Sequence, residues 1–245
     1  MGKGRKKRMI TLPIKGTSRS YTVNPTKIIA LGLNYREHIA ENVSMKVRGV
    51  DPEIPEEPVL FPKTPDVLIG PDEDIVIPAF LDRYRFETPR VDYEGELAFI
   101  VRDRCRNVPE EEWMAHIEGF TCMNDVSQRN IQTGDKSGWF RGKSLDTFGP
   151  IGPVLVLPED LGDPQNLGIS CRVNGKTVQK SNTGMMIFPV PRILAFVSMN
   201  FTLMPGDIIL TGTPSGVGPL SEGDVVEVEI EKIGVLRNRV VKEKG

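Results

Sequence analysis

Cysteine and histidine are scarce: three of the first and two of the second occur in 245 residues. Cys105, Cys122 and Cys171 are odd in number, and none stands in a Cys-x-x-Cys pair. That pattern argues against a disulfide framework or a zinc site and suits reduced thiols in a cytoplasmic protein. Long apolar runs are also missing. No stretch reaches the length of a membrane span, and nothing after the basic start is long enough for a secretory signal. Position 6 is Lys6, neither Ser nor Thr, so the Met1-Gly2 start does not support myristoylation. The net charge of -2 conceals an asymmetry, because Lys3, Arg5, Lys6, Lys7 and Arg8 crowd the first eight residues. The remaining chain carries 26 basic and 33 acidic residues. A basic stub on an acidic body, without aromatic interleaving, reads as a solubilising tail; no nucleic-acid partner is expected.

What the chain does have is turn chemistry, with 24 glycines and 20 prolines. Between them run short apolar segments: 27–31, 97–101, 152–156, 169–173, 207–210 and 225–230. The last alternates apolar and acidic residues, as a half-buried strand does. Val173-Asn174-Gly175-Lys176 carries the Asn-Gly hairpin signal. Helices are expected only over 34–42, 109–116 and 191–199, and the acidic, proline-rich stretch 48–58 reads as a loop. One large domain with a small N-terminal appendage fits this length.

Acid is concentrated in one pattern. Residues 91–101 read as a strand entering the core, and residues i and i+2 of a strand project from one face. Glu94 and Glu96 then share a face, and Asp125 lies in a segment able to fold back beside them. Carboxylates so close repel unless a cation lies between them, and no other charge partner is evident in the sequence. Three carboxylates without cysteine or histidine suit Mg²⁺ or Mn²⁺; a solvated acidic face is the plainer alternative. His38 and Glu41 fall on one face of a short helix, which makes either an oriented general base or a surface pair. Arg129 and Gln132 follow Asp125 on one face if that segment is helical, Arg129 as a brace for the acids and Gln132 as a donor to a substrate carboxylate. The alternative is that both cap local backbone. Thr211-Gly212-Thr213-Pro214-Ser215-Gly216 is glycine-rich but is no phosphate loop. Beside a metal it would become an anion pocket, with Thr213 as its hydroxyl.

Five blocks in order resemble the fumarylacetoacetate hydrolase family: Gly32-Leu33-Asn34-Tyr35-Arg36-Glu37-His38-Ile39-Ala40-Glu41, Tyr93 to Ala98, Asn124 to Gln132, Gly142 to Thr147, and Thr211 to Gly218. The resemblance runs from about Ile28 to the C-terminus, without the large N-terminal domain of the longer members. It implies a mixed, β-rich α+β fold, a β-roll with a few short helices. A tail and short N-terminal segment would occupy 1–25 and a catalytic domain 26–245. It implies metal ligands Glu94, Glu96 and Asp125 and an Mg²⁺ or Mn²⁺ cofactor. His38 steered by Glu41 would activate water, and Lys143, a lysine otherwise expected to be solvated, would offset enolate charge. The activity so implied is cleavage of a C–C bond in acylpyruvates or related β-diketo 2-oxo acids, through an enolate held at the metal. The alternatives on the same scaffold are oxaloacetate decarboxylation, or isomerisation and decarboxylation of 2-hydroxymuconate-type diacids. The partners implied are a small 2-oxo acid and a second copy in a homodimer, with no membrane. Leu33 is apolar where some relatives carry a basic residue, so no extra charged contact is expected there. His116 matches no motif residue and is read as structural.

Overall fold

Alternation along one strand sets the layering of the molecule. Every residue of Gly95–Val101 is buried. Leu97, Phe99 and Val101 enter one apolar cluster, while Ala98 and Ile100 enter another on the opposite face. A strand covered on both faces reads as continuous apolar sequence, as this one does. The structure, a computed structural model, describes residues 9–37, 54–136 and 138–244.

That strand lies at the middle of a seven-stranded mixed sheet. Its order is Val59–Lys63, Ile28–Gly32, Ile208–Leu210, Gly95–Val101, Ile117–Asn124, Gly149–Val156 and Leu68–Ile69. Ile208–Leu210 runs parallel to Ile28–Gly32, and Leu68–Ile69 parallel to Gly149–Val156; the other pairs are antiparallel. A five-stranded sheet, Lys176–Asn182, Gly168–Val173, Val225–Ile230, Gly234–Lys242 and Asp74–Ile77, packs on the Leu97–Phe99 face together with the helix Val190–Asn200. The opposite face is closed by a hairpin of Ile10–Pro13 and Ser20–Val23, which buries Leu12, Ile14 and Val23. This hairpin lies within the 1–25 segment. The result is sheet-rich, with few short helices and a curled main sheet, the fold class expected from the sequence.

Most expected elements are present. The Asn-Gly hairpin forms with Asn174 and Gly175 at φ 52 and 77, the left-handed pair that a tight two-residue turn requires. The expected helix at 109–116 is a 3₁₀ helix, Glu110–His116. The 34–42 helix and the 48–58 loop fall largely outside the described residues. One difference matters for the site. The 91–101 stretch is two strands, not one: Val91–Tyr93 joins a small sheet with Ser127–Gln128 and Gly218–Pro219, and Gly95–Val101 joins the main sheet. Glu94 is the residue at the crossing. Its N–H donates to the Asn124 side-chain oxygen at 2.9 Å and its carbonyl accepts from Asp125 N–H at 2.8 Å, so the backbone is satisfied without a ladder partner.

Candidate active site

Glu94, Glu96 and Asp125 are all buried, and each offers a carboxylate oxygen within 4.8 Å of the other two. The crossing brings Glu94 in, Glu96 is the second residue of the central strand, and Asp125 follows the end of Ile117–Asn124. Sequence reasoning offered these acids Arg129 as a brace; the fold adds two buried lysines. Lys143 Nζ donates to Glu94 Oε2 at 2.7 Å and to Asp125 Oδ2 at 2.6 Å. Lys63 Nζ lies 2.6 Å from Asp125 Oδ1, off hydrogen-bonding alignment, and also bonds the Lys143 carbonyl. Arg129 pairs with Glu94 and, at 2.9 Å, with Asp92 Oδ2, which Arg90 also holds at 2.9 Å.

Local structure explains each placement. Lys143 ends the one-turn helix Phe140–Lys143, which lies directly on Arg129–Gly134. A Cβ on Gly142 would stand 2.7 Å from the Gln132 nitrogen, so only glycine lets the two helices approach closely enough to bury that lysine. Asn34 draws another loop over the acids: its amide donates to Thr211 O at 2.7 Å and Phe188 O at 3.1 Å, and its oxygen accepts from Phe188 N–H at 2.8 Å. Gly212, at φ 91 and packed on Asn34, then points its N–H at Glu96 Oε2, 2.7 Å away. Lys63 ends the strand Val59–Lys63, whose neighbour Phe61 places its ring 4.9 Å from Lys143 Nζ.

The electrostatics follow from burial. Burial pushes the Glu96 carboxyl well above the ordinary carboxylate range, Asp125 and Glu94 push it further, and Lys143 and the Gly212 N–H only partly offset them. Burial would depress Lys143, but the Asp125 and Glu94 charges outweigh it and hold the ammonium above its usual value. Lys63 goes the other way, lowered by burial that Asp125 does not repay and by Lys143 beside it. Burial also raises the Tyr35 hydroxyl, with the Glu96 charge adding to the effect. Among the described residues, Tyr35 Oη and Glu96 Oε1 are buried without a hydrogen-bond partner. An orphaned carboxylate oxygen inside an all-oxygen triad is the donor a hard divalent ion takes, so these residues fit Mg²⁺ or Mn²⁺.

A cleft opens on this cluster, walled by Leu33, Phe61 and Trp139 and floored by Glu94, Lys143 and Thr213. Leu33 sits at φ 59, a left-handed conformation uncommon for leucine, at the mouth of the cleft. Gln132 lines the cleft too, its oxygen held by Arg129 at 2.7 Å, so Arg129 braces both Glu94 and Gln132. Thr213 donates its hydroxyl proton to Gly95 O at 3.0 Å and accepts from Gln179 at 2.9 Å, which fixes the loop over the strand. Seven expected residues thus converge: Glu94, Glu96, Asp125, Arg129, Gln132, Lys143 and Thr213. His38 and Glu41 lie outside the described residues. Lys63, Asp92 and Tyr35 were not singled out from sequence; Tyr35 stood inside a quoted motif, whereas the other two carried no local signal.

A sheet-rich roll that closes buried acids and buried lysines around one cleft has the makings of a polar, cation-ready active site. Residues 27–241 match the family model described as fumarylacetoacetate (FAA) hydrolase C-terminal, and the chain belongs to that family. It is 43% identical over 227 residues to a mitochondrial oxaloacetate tautomerase of Xenopus laevis, covering 89% of this chain and 66% of the relative. Among solved structures it is similar to 5-carboxymethyl-2-hydroxymuconate delta-isomerase from Mycobacterium smegmatis, at 38% identity and TM-score 0.78, covering 94% of this chain and 87% of that one. Fumarylpyruvate hydrolase from Pseudomonas aeruginosa, solved with Mn²⁺ and pyruvate, aligns over 98% of both chains at 29% identity and TM-score 0.81. The family supports a divalent metal and an enzyme. No helix among the described residues is long and apolar enough to cross a membrane.

Proposed function

We propose that this chain is a divalent-metal-dependent enzyme that carries a 2-oxo acid through its enolate, with C–C hydrolysis of acylpyruvates as its reaction. The observation that carries this reading is the Lys143 ammonium, buried and held above its ordinary pKa within 2.7 Å of two carboxylates of the triad. A divalent ion held by Glu94, Glu96 and Asp125 would supply Lewis acidity to the substrate oxygens. Lys143 offers fixed positive charge where the pyruvate enolate gathers negative charge. Gln132, braced by Arg129, and the Thr213 loop orient the substrate carboxylate. Leu33, Phe61 and Trp139 keep water away from the enolate. His38, steered by Glu41, takes the proton of the water that attacks the distal carbonyl; the C3–C4 bond breaks, and its electron pair passes into the enolate.

A second reading, keto–enol tautomerisation of oxaloacetate, is favoured by the 43% identity to the Xenopus tautomerase. It needs the enolate site but no attacking water. Steady-state kcat/KM for acetylpyruvate, fumarylpyruvate and oxaloacetate, with Mg²⁺ and with Mn²⁺, separates the two. In the hydrolase, His38→Ala lowers acylpyruvate cleavage by about 10²–10⁴-fold, the loss typical of a general base. Rapid oxaloacetate interconversion by wild type, with no cleavage of either acylpyruvate, would transfer the assignment to the tautomerase.

A further inference from the structure

We infer that the chain has a second cation site, for Zn²⁺ or a similarly soft divalent ion, formed by Asp103, Cys105 and His116. The three side chains each bring one donor atom within 4.8 Å of the others. His116 Nδ1 is 2.7 Å from Asp103 Oδ1. One thiol, one imidazole and one carboxylate form a mixed set unlike the all-oxygen triad, and that mixture suits Zn²⁺ rather than Mg²⁺. Tetrahedral zinc with ordinary bond lengths places its ligand atoms roughly 3.3–3.7 Å apart. The cluster reaches that spacing by small side-chain rotations, and Asp103, with a half-exposed side chain, has room to make them. A water would complete the four-coordinate shell.

The surrounding backbone is held firmly. Cys105 exchanges both backbone hydrogen bonds with Leu203, at 3.1 and 2.9 Å. Arg102 N–H donates to His116 O at 2.8 Å. Arg102 turns its guanidinium to Glu118 and to Ala115 O. The site lies at the far end of the central strand from Glu96, roughly 20 Å away at strand rise. An ion there would tie together the exit of that strand, the 3₁₀ helix Glu110–His116 and the Leu203 turn. It would stabilise the fold without touching the substrate.

The test is spectroscopic. Protein saturated with Mg²⁺, which fills the oxygen-only triad, is titrated with Co²⁺ while thiolate-to-cobalt charge-transfer absorption is followed. The expected result is a band reaching one equivalent per chain, bleached by Zn²⁺, abolished in Cys105→Ser and retained in Cys122→Ser. His116→Gln, which keeps the thiol, should weaken Co²⁺ binding by at least about tenfold. Zn²⁺ added over Mg²⁺ should raise the melting temperature of wild type and not of His116→Gln. No band at millimolar Co²⁺, or a band undiminished in Cys105→Ser or in His116→Gln, would overturn the assignment. In that case His116 and Asp103 form a plain hydrogen-bonded pair.

Discussion

Two groups of opposite charges in this molecule pair basic with acidic side chains in different surroundings. Around Glu94 and Asp125, acids and their cations are buried together: the Lys63 and Asp125 side chains are 0% exposed and Lys143 only 2%. On the five-stranded sheet, Arg172 pairs with Glu227 at 3.1 Å and with Glu229, and all three side chains keep contact with water. The buried group is a poised system in which each removed charge strands another. The exposed group is screened, and its members are nearly independent.

Deleting a charge from each group should therefore break the molecule very unequally. Lys143→Met removes the one cation that Glu94 and Asp125 share, leaving Glu94 to Arg129 and Asp125 to Lys63, and in metal-free protein should cost about 3 kcal/mol of unfolding free energy. Mg²⁺ should return part of that stability, because a cation again faces both acids. Its kcat/KM should fall by about 10²–10³-fold even when metal-loaded. Denaturant titrations with and without Mg²⁺ measure the first effect, and equal curves for mutant and wild type would dissolve the contrast between the two groups.

Glu96→Gln sharpens the comparison in the other direction. Because the folded-state pKa of Glu96 is raised, the stability attached to its protonated form is full below its unfolded value near 4.5 and is lost as pH rises through the folded value. Metal-free Glu96→Gln should thus match wild type in acid. At higher pH it should exceed wild type, by on the order of 1–3 kcal/mol, the usual cost of an uncompensated buried polar group. Thermal melts across that range, with chelator present, give the answer; parallel pH profiles would count against a charge penalty at Glu96. Smallest is Arg172→Ala, with an expected loss below about 1 kcal/mol that shrinks further in high salt. A loss as large as that of Lys143→Met would show that exposure does not govern the difference.

How much of this was legible in sequence follows from how local each signal is. Glu94 and Glu96 stood out because spacing i, i+2 is a local rule, and Lys143 and Asp125 because they sit inside quoted blocks. Lys63 carried no such mark. A lysine closing a strand just before Thr64-Pro65 reads as solvated, and only a fold that lays Asp125 against it makes it buried. The change of sheet at Glu94 was hidden for a related reason: apolar residues continue on both sides, and the break depends on Asn124 and Asp125, which come from the neighbouring strand. His116 was read as structural, and nothing in its own segment points to Cys105; the two meet because Leu203 and Arg102 hold their backbones in place.

The crossing at Glu94 also bears on the order of events as the chain folds. The acids come from residues 94 to 125, but their restraints come from Lys63, Lys143 and Gly212, which reach the cluster only when four separate stretches have joined. A partly folded chain would hold the repelling charges without the groups that tolerate them. Cation binding at this triad would therefore be a property of the finished molecule, and its appearance during refolding would time the closing of the roll rather than the formation of any single strand.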